Sequence, residues 1–243
     1  MRLLALALAV VVSGCFQLSS VLSVRADGSA TLRDEVRLSG FGLMAMQEDA
    51  GASDEAEFED RAGRLGSGVR LASVERRDDG FTVVYDIDDV RTLAYTAPGM
   101  GEGDESEGQF PMTFGFAEGE SATLDIRLPK PDPGKPAASD AAPADAAQQA
   151  QALTMMRSMM GEARISMAVE VEGAVEETNA TYADGATITL VDLPMGPFVD
   201  ALAERPDLLA ADGPPDASAL AELLKDVPEV RIQTPGTVRV RFR

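Results

Sequence analysis

Histidine is missing from all 243 residues, and cysteine occurs once, at Cys15. These two absences remove a large part of catalytic chemistry. Ser-His-Asp and Cys-His nucleophiles, zinc sites built from His or Cys, and haem held by histidine all need side chains that the chain does not offer. An intramolecular disulfide is excluded as well, because Cys15 has no second cysteine to meet. Tryptophan is absent and aromatic residues make up only 5%, so a core must rest on Leu, Val, Ile, Met, Ala and a few Phe. Lysine is confined to Lys130, Lys135 and Lys225. Acidic residues outnumber basic ones 41 to 21, giving a formal charge of −20 and a pI near 4.3. A surface that negative repels nucleic acid and anionic headgroups, so no nucleic-acid partner is expected. Abundant Asp with scarce Lys resembles the proteins of salt-accumulating halophiles; an ordinary acidic envelope protein is the equally simple alternative.

What is present begins at the amino terminus. Arg2 supplies a positive charge, and Leu3 to Val12 is an unbroken apolar run, LLALALAVVV. The run suits a signal-peptide core and falls short of the roughly 20 apolar residues that span a bilayer. It ends in Val12-Ser13-Gly14-Cys15, which resembles the bacterial lipobox: an aliphatic residue, two small residues and a cysteine. The expectation is that residues 1–14 are removed and that Cys15 carries acyl chains. Each buried CH₂ contributes about 0.8 kcal/mol, so two chains already give stable anchoring. The residue after Cys15 is Phe16, not Asp. In an envelope with two membranes, the class expectation is passage to the outer one. No later stretch approaches 18 apolar residues, and no transmembrane helix is expected.

Alternating strands and tight turns dominate the next hundred residues. Thr31 to Leu38 sets Leu32, Val36 and Leu38 against Arg33, Glu35 and Arg37, and pairs with Gln17 to Arg25 across Asp27-Gly28. Val69 to Glu75 and Phe81 to Ile87 flank Asp79-Gly80, while Phe110 to Phe116 and Ala122 to Leu128 flank Glu118-Gly119. Between the first two hairpins, Ser53 reads as an N-cap for a helix burying Phe58, Ala62 and Leu65 and ending at Gly66 or Gly68. Phe41 to Gln47 reads as an earlier helical turn. Residues 129–145 hold Pro129, Pro131, Pro133, Pro136 and Pro143 and read as an exposed linker.

Beyond the linker, Ala146 to Met160 should be helical, with Ala146, Ala150, Leu153, Met156 and Met160 on one face. Strands follow at Arg164 to Glu172 and, after a turn at Asp184-Gly185, at Ala186 to Leu193. Short helices are expected over Pro197 to Ala203 and Ala217 to Lys225, and closing strands over Val230 to Gln233 and Thr237 to Phe242. The fold class is therefore α+β, a mostly antiparallel sheet built from hairpins with several short helices and a Pro-rich linker. The expected organisation is a signal peptide over 1–14, a hairpin-rich part over 15–128, the linker over 129–145, and a helix with antiparallel strands over 146–243 that packs with the first part.

The order of pieces carries a resemblance. A lipidated cysteine leads at once into a hairpin with Ala26-Asp27-Gly28-Ser29; later come Val171-Glu172-Gly173-Ala174-Val175, Asn179-Ala180-Thr181 and Asp184-Gly185-Ala186-Thr187-Ile188-Thr189-Leu190. This is similar to the LppM-type lipoproteins of bacterial envelopes, over most of the chain after Cys15. The resemblance implies an α+β envelope domain and supplies no catalytic residues. Some such proteins have a carboxy-terminal membrane helix, whereas this chain closes on Arg239, Arg241 and Arg243.

The chemistry left to an enzyme is carboxylate pairs, Ser-Lys dyads or oxygen-only metal sites. Asp86 and Asp88 share a strand face beside Asp89, which is most simply the solvated face opposite Phe81, Val83, Tyr85 and Ile87. Glu102, Asp104, Glu105 and Glu107 lie in a Gly-rich stretch without EF-hand spacing. No cofactor and no metal are expected. Met155, Met156, Met159 and Met160 cluster on one helix. Such a cluster more often fills a core; exposed, it makes an adaptable ligand-contact surface. The expected function is a non-enzymatic binding or structural module. It would be held to the membrane by lipidated Cys15 and contact an envelope protein or lipid. Its alternatives are a lipid carrier with an apolar cavity and a carboxylate-dependent hydrolase of envelope glycans.

Overall fold

The computed structural model describes residues 16–38, 55–96, 111–128, 146–205, 224–225, 227, 229–233 and 236–243, with the side chains of 146–150 and 159 excepted. The expected turn at 41–47, the acidic stretch at 101–108, the linker at 129–145 and most of the helix at 217–225 lie outside the described residues.

The strands are β1 (Phe16–Val24), β2 (Ala30–Leu38), β3 (Val69–Arg77), β4 (Gly80–Ile87), β5 (Ala94–Tyr95), β6 (Met112–Ala117), β7 (Ala122–Arg127), β8 (Arg164–Val171), β9 (Val175–Thr178), β10 (Ala183–Asp184), β11 (Thr187–Pro194), β12 (Arg231–Ile232) and β13 (Thr237–Phe242). The helices are α1 (Glu55–Leu65), α2 (Ala146–Met160) and α3 (Met195–Glu204). One eight-stranded sheet runs β10-β11-β8-β1-β2-β4-β3, with β12 also on β11; a second runs β5-β6-β7-β13-β9. The fold is α+β and its pairing mostly antiparallel.

The exception is central. β1 runs parallel to β8, with Gln17 opposite Arg164 and Val24 opposite Val171. A parallel partner cannot come from a hairpin, so β8 has to arrive from beyond residues 129–145. β13 arrives in the same way to pair with β7. Each sheet thus draws strands from both sides of that stretch.

Inner-face side chains of both sheets merge with Phe58, Ala62 and Leu65 of α1 into one cluster. Leu22, Leu32 and Tyr85 from the large sheet and Leu124, Ile126 and Phe242 from the small one are fully enclosed. Alternation explains the division: along β13, Val238, Val240 and Phe242 point inward while Arg239 and Arg241 face solvent. A smaller cluster of Ala201, Leu224 and Val230 lies under α3, joined by Leu193 and Phe198.

Turns differ from the sequence expectation by one residue. Arg77 pairs with Gly80, so the two-residue turn is Asp78-Asp79 and Gly80 opens β4. Likewise Asp184 pairs with Thr187, placing the second turn at Gly185-Ala186. Gly80 is needed for a close contact: its φ is +153°, and a Cβ there would collide with the carbonyl oxygen of Val36. Gly80→Ala is therefore expected to cost at least about 1–3 kcal/mol from backbone strain alone. Urea unfolding would show this as a lower midpoint, and an unchanged midpoint would refute the close approach. Helix α3 starts at Met195, ahead of the expected Pro197, because proline is tolerated within a first helical turn.

Candidate functional site

Cys15 lies outside the described residues. Phe16, its neighbour, is already the first residue of β1 and pairs with Leu38. The end of the large sheet at which β1 starts also carries Arg164 of β8, Pro194 of β11 and the Asp78-Asp79 turn, whose Asp79 carbonyl accepts a bond from Leu38 N–H at 2.6 Å. The turns at 25–29 and 185–186 sit at the opposite end.

Helix α2 spans Ala146–Met160 as its periodicity predicts, but on its expected inward face Met156 is exposed. Met155 is 62% exposed and Met156 38%, while Leu153 and Met160 are half-buried. Core filling therefore does not describe Met155 or Met156. The reason is the neighbour: α2 packs chiefly on α3. The Arg157 guanidinium reaches Asp200 at 3.0 Å, and Gly196 lies so close to Arg157 and Gly161 that a Cβ would collide with both.

A buried polar cluster sits inside the core, and only sequence positions hinted at it. Asp34 and Ser20 occupy inward slots between Leu32 and Val36 and between Leu18 and Leu22, and both are 3% exposed. Arg61 of α1 donates to Asp34 Oδ2 at 3.0 Å, and Tyr95 Oη donates to Ser20 Oγ at 2.6 Å. Asp34 Oδ1 is buried without a hydrogen-bond partner. Burial pushes the Asp34 carboxyl above its ordinary value, against the pull of Arg61 and the Ser20 and Tyr95 hydroxyls. Burial likewise pushes the Tyr85 hydroxyl up to about 12 and raises that of Tyr95. The signal for this cluster is a polar residue in an inward slot of an otherwise apolar face. Its chemistry is that of an internal ion pair, closed to a substrate by the side chains around it.

Surface carboxylates are engaged by arginine. Asp88 receives both Nη atoms of Arg70 at 2.6 and 2.7 Å, which hold its carboxyl below the usual range. Asp89 accepts from the backbone N–H and side chain of Arg91, at 2.9 Å each, and is lowered mainly by that side chain. Asp86 is exposed on the outer face, as alternation predicts. Among the described residues, no group of three or more His, Cys, Asp or Glu side chains is placed to hold a metal ion.

One open groove, of about 650 Å³, crosses the outer face of the small sheet between β13 and the chain at 177–179. Its walls include Thr123, Glu177, Asn179, Arg239 and Arg241. Arg239 clasps Asp125 through two bonds, at 2.7 and 3.2 Å. A bulge in the β13–β9 register turns Glu176 toward Arg241 and Arg243, at 3.2 and 2.9 Å, and Ser121 donates to it at 2.8 Å. The Ser121 bond comes first among the causes that lower its carboxyl. The groove is polar and its arginines are occupied.

No family model matches the chain, and no curated protein matches it. Among solved structures, the folded domain of LppM from Mycobacterium tuberculosis is similar at 10% identity, over 95% of this chain and 91% of that one, with a TM-score of 0.33. A likeness at that level carries no argument about function.

Proposed function

We propose that the chain is a lipid-anchored protein of the bacterial envelope whose domain works as a non-catalytic binding or structural module. The observation that carries this reading is the lipobox-like Val12-Ser13-Gly14-Cys15 directly before a strand that starts at Phe16. Cleavage ahead of Cys15 would leave every described strand whole and hold the large sheet at the bilayer without a spacer. The outer membrane is the destination this reading assigns where two membranes exist. Among the described residues, no helix is long and apolar enough to cross a membrane, so the acyl chains would supply the attachment.

Two features support a module over the alternatives. Among the described residues, inner-face side chains of both sheets pack into one cluster where a lipid carrier would keep a cavity open. The best-placed carboxylates, Asp88, Asp89 and Asp125, are each committed to an arginine. Cys15→Ser should abolish incorporation of labelled fatty acid and release the protein from membranes. A variant that still sediments with membrane after a high-salt wash would refute the anchor. Hydrolysis of envelope glycan by the purified wild-type chain would refute the non-catalytic reading.

A further inference from the structure

Met155 and Met156 are the large apolar side chains that stand out as exposed among the described residues. Their position is tied to the start of β1 by consecutive bonds. Ala163 N–H donates to the Met160 carbonyl, closing α2, and Met195 N–H donates to the Ala163 carbonyl, at 2.9 and 2.8 Å. The next residue, Arg164, opens β8 directly beside Gln17 of β1. Neighbouring strands lie about 4.8 Å apart, so Arg164, four residues past the end of α2, lies beside Gln17, two residues after Cys15. From Arg164 back to Met156 the chain covers at most roughly 20 Å, counting the helical residues at their 1.5 Å rise.

We infer that Met155 and Met156 dip into the lipid surface beside the anchor and fix the angle at which the domain stands on the membrane. The inference rests on the lipid-anchor reading. Half-buried Phe16 and Leu38, paired across β1 and β2, add apolar surface at the same end of the sheet, beside the charged Arg164 and Asp78-Asp79. Methionine suits this work because its unbranched, polarisable side chain adapts to a fluid apolar phase. The one cation between this pair and Gly161, Arg157, is paired with Asp200. With a net charge of −20, attraction to anionic headgroups is not the driving force, and a zwitterionic surface is the favoured occupant. The acyl chains make the contact intramolecular, so a small apolar area suffices to bias orientation.

The test uses the full lipidated chain on phosphatidylcholine vesicles. Acylation of Cys15 leaves a cysteine introduced by Met155→Cys or Met156→Cys as the sole thiol for an environment-sensitive fluorophore. Asp184→Cys, exposed on β10 at the other end of the sheet, serves as the comparison. The expected result is flotation of all three chains, with a blue shift and several-fold stronger quenching by bilayer-borne nitroxide at 155 and 156 than at 184. Flotation with equal quenching at the three sites would overturn this inference alone. Failure to float would overturn the anchor reading and this inference with it. A blue shift in native membranes but not on vesicles would identify a protein partner on this helix and also overturn the lipid contact.

Discussion

Arg61→Met is expected to lower stability by about 3–5 kcal/mol at neutral pH, because it leaves the Asp34 carboxylate buried without its cation. Arg61 and Asp34 have side-chain exposures of 11% and 4%, and the bond between them is 3.0 Å. Methionine keeps most of the stem volume, so the loss reports the charge and not a cavity. Asp34→Asn alone, and the pair Arg61→Met with Asp34→Asn, complete a cycle. The double variant should recover much of the loss, since no buried charge is then unpaired. A single variant within about 1 kcal/mol of wild type would show that the pair contributes no more than an exposed one.

The same site sets a pH dependence whose sign is opposite to that of the surface carboxylates. In the folded chain Asp34 binds its proton more tightly than its ordinary value of 3.8 implies. Its contribution is therefore full below that value and is lost as pH rises through the folded value. Asp27, Asp88, Asp89 and Glu176 are lowered, so their contributions appear above their ordinary values and vanish on acidification. Wild type minus Asp34→Asn should accordingly fall as pH climbs from acid toward neutral. A flat or rising difference would contradict the raised carboxyl. Removing Arg61 should steepen the fall.

Phe242→Ala should cost about 3–5 kcal/mol, the range for deleting a buried aromatic ring. The ring is fully enclosed, sits in the last strand, and lies 6.4 Å from that of Phe116. The residue before it gives the control. Arg241 faces solvent and pairs with Glu176 at 3.2 Å, and exposed pairs contribute about 0–1 kcal/mol. Denaturant unfolding of the two alanine variants should separate them several-fold in effect. Similar losses would mean that the inward and outward faces of β13 are not those described.

Period-two alternation made most of this fold legible. The hairpins of β1–β2, β3–β4 and β6–β7, the buried stripe of α1 and the limits of α2 and β13 all follow from local pattern. What was not legible depends on distant chain. Nothing in Gln17 to Val24 announces a parallel neighbour at Arg164 to Val171, because the alternation of each strand is satisfied by any partner. The turn at Asp78-Asp79 leaves Gly80 against a backbone oxygen of β2, a neighbour that the turn sequence does not show. Tyr95 lies in a two-residue strand too short to show a period, so its bond to Ser20 was invisible. Asp34 was a polar residue in an apolar register whose partner belongs to a helix. The exposure of Met155 and Met156 depends on α3 taking only one side of α2. Of the candidate site, the Cys15 motif was legible from residue type and spacing alone.

The parallel pairing of β1 with β8 has a consequence for how the chain comes to be folded. Synthesis proceeds from the amino terminus, and β1 can zip to β2 once the chain as far as Leu38 has emerged. Its other edge then stays bare until residue 171 has followed, and the small sheet waits longer, for β13. Contacts this remote in sequence slow folding, because loops must close before any pairing rewards them. Throughout that interval β1 presents an open row of N–H and C=O groups to other chains, a known route to aggregation. Gln17, Ser19, Ser20 and Ser23 dilute the apolar character of β1 along that exposed edge. A nascent chain of this architecture therefore depends on being shielded, or on finishing quickly, far more than a run of simple hairpins would.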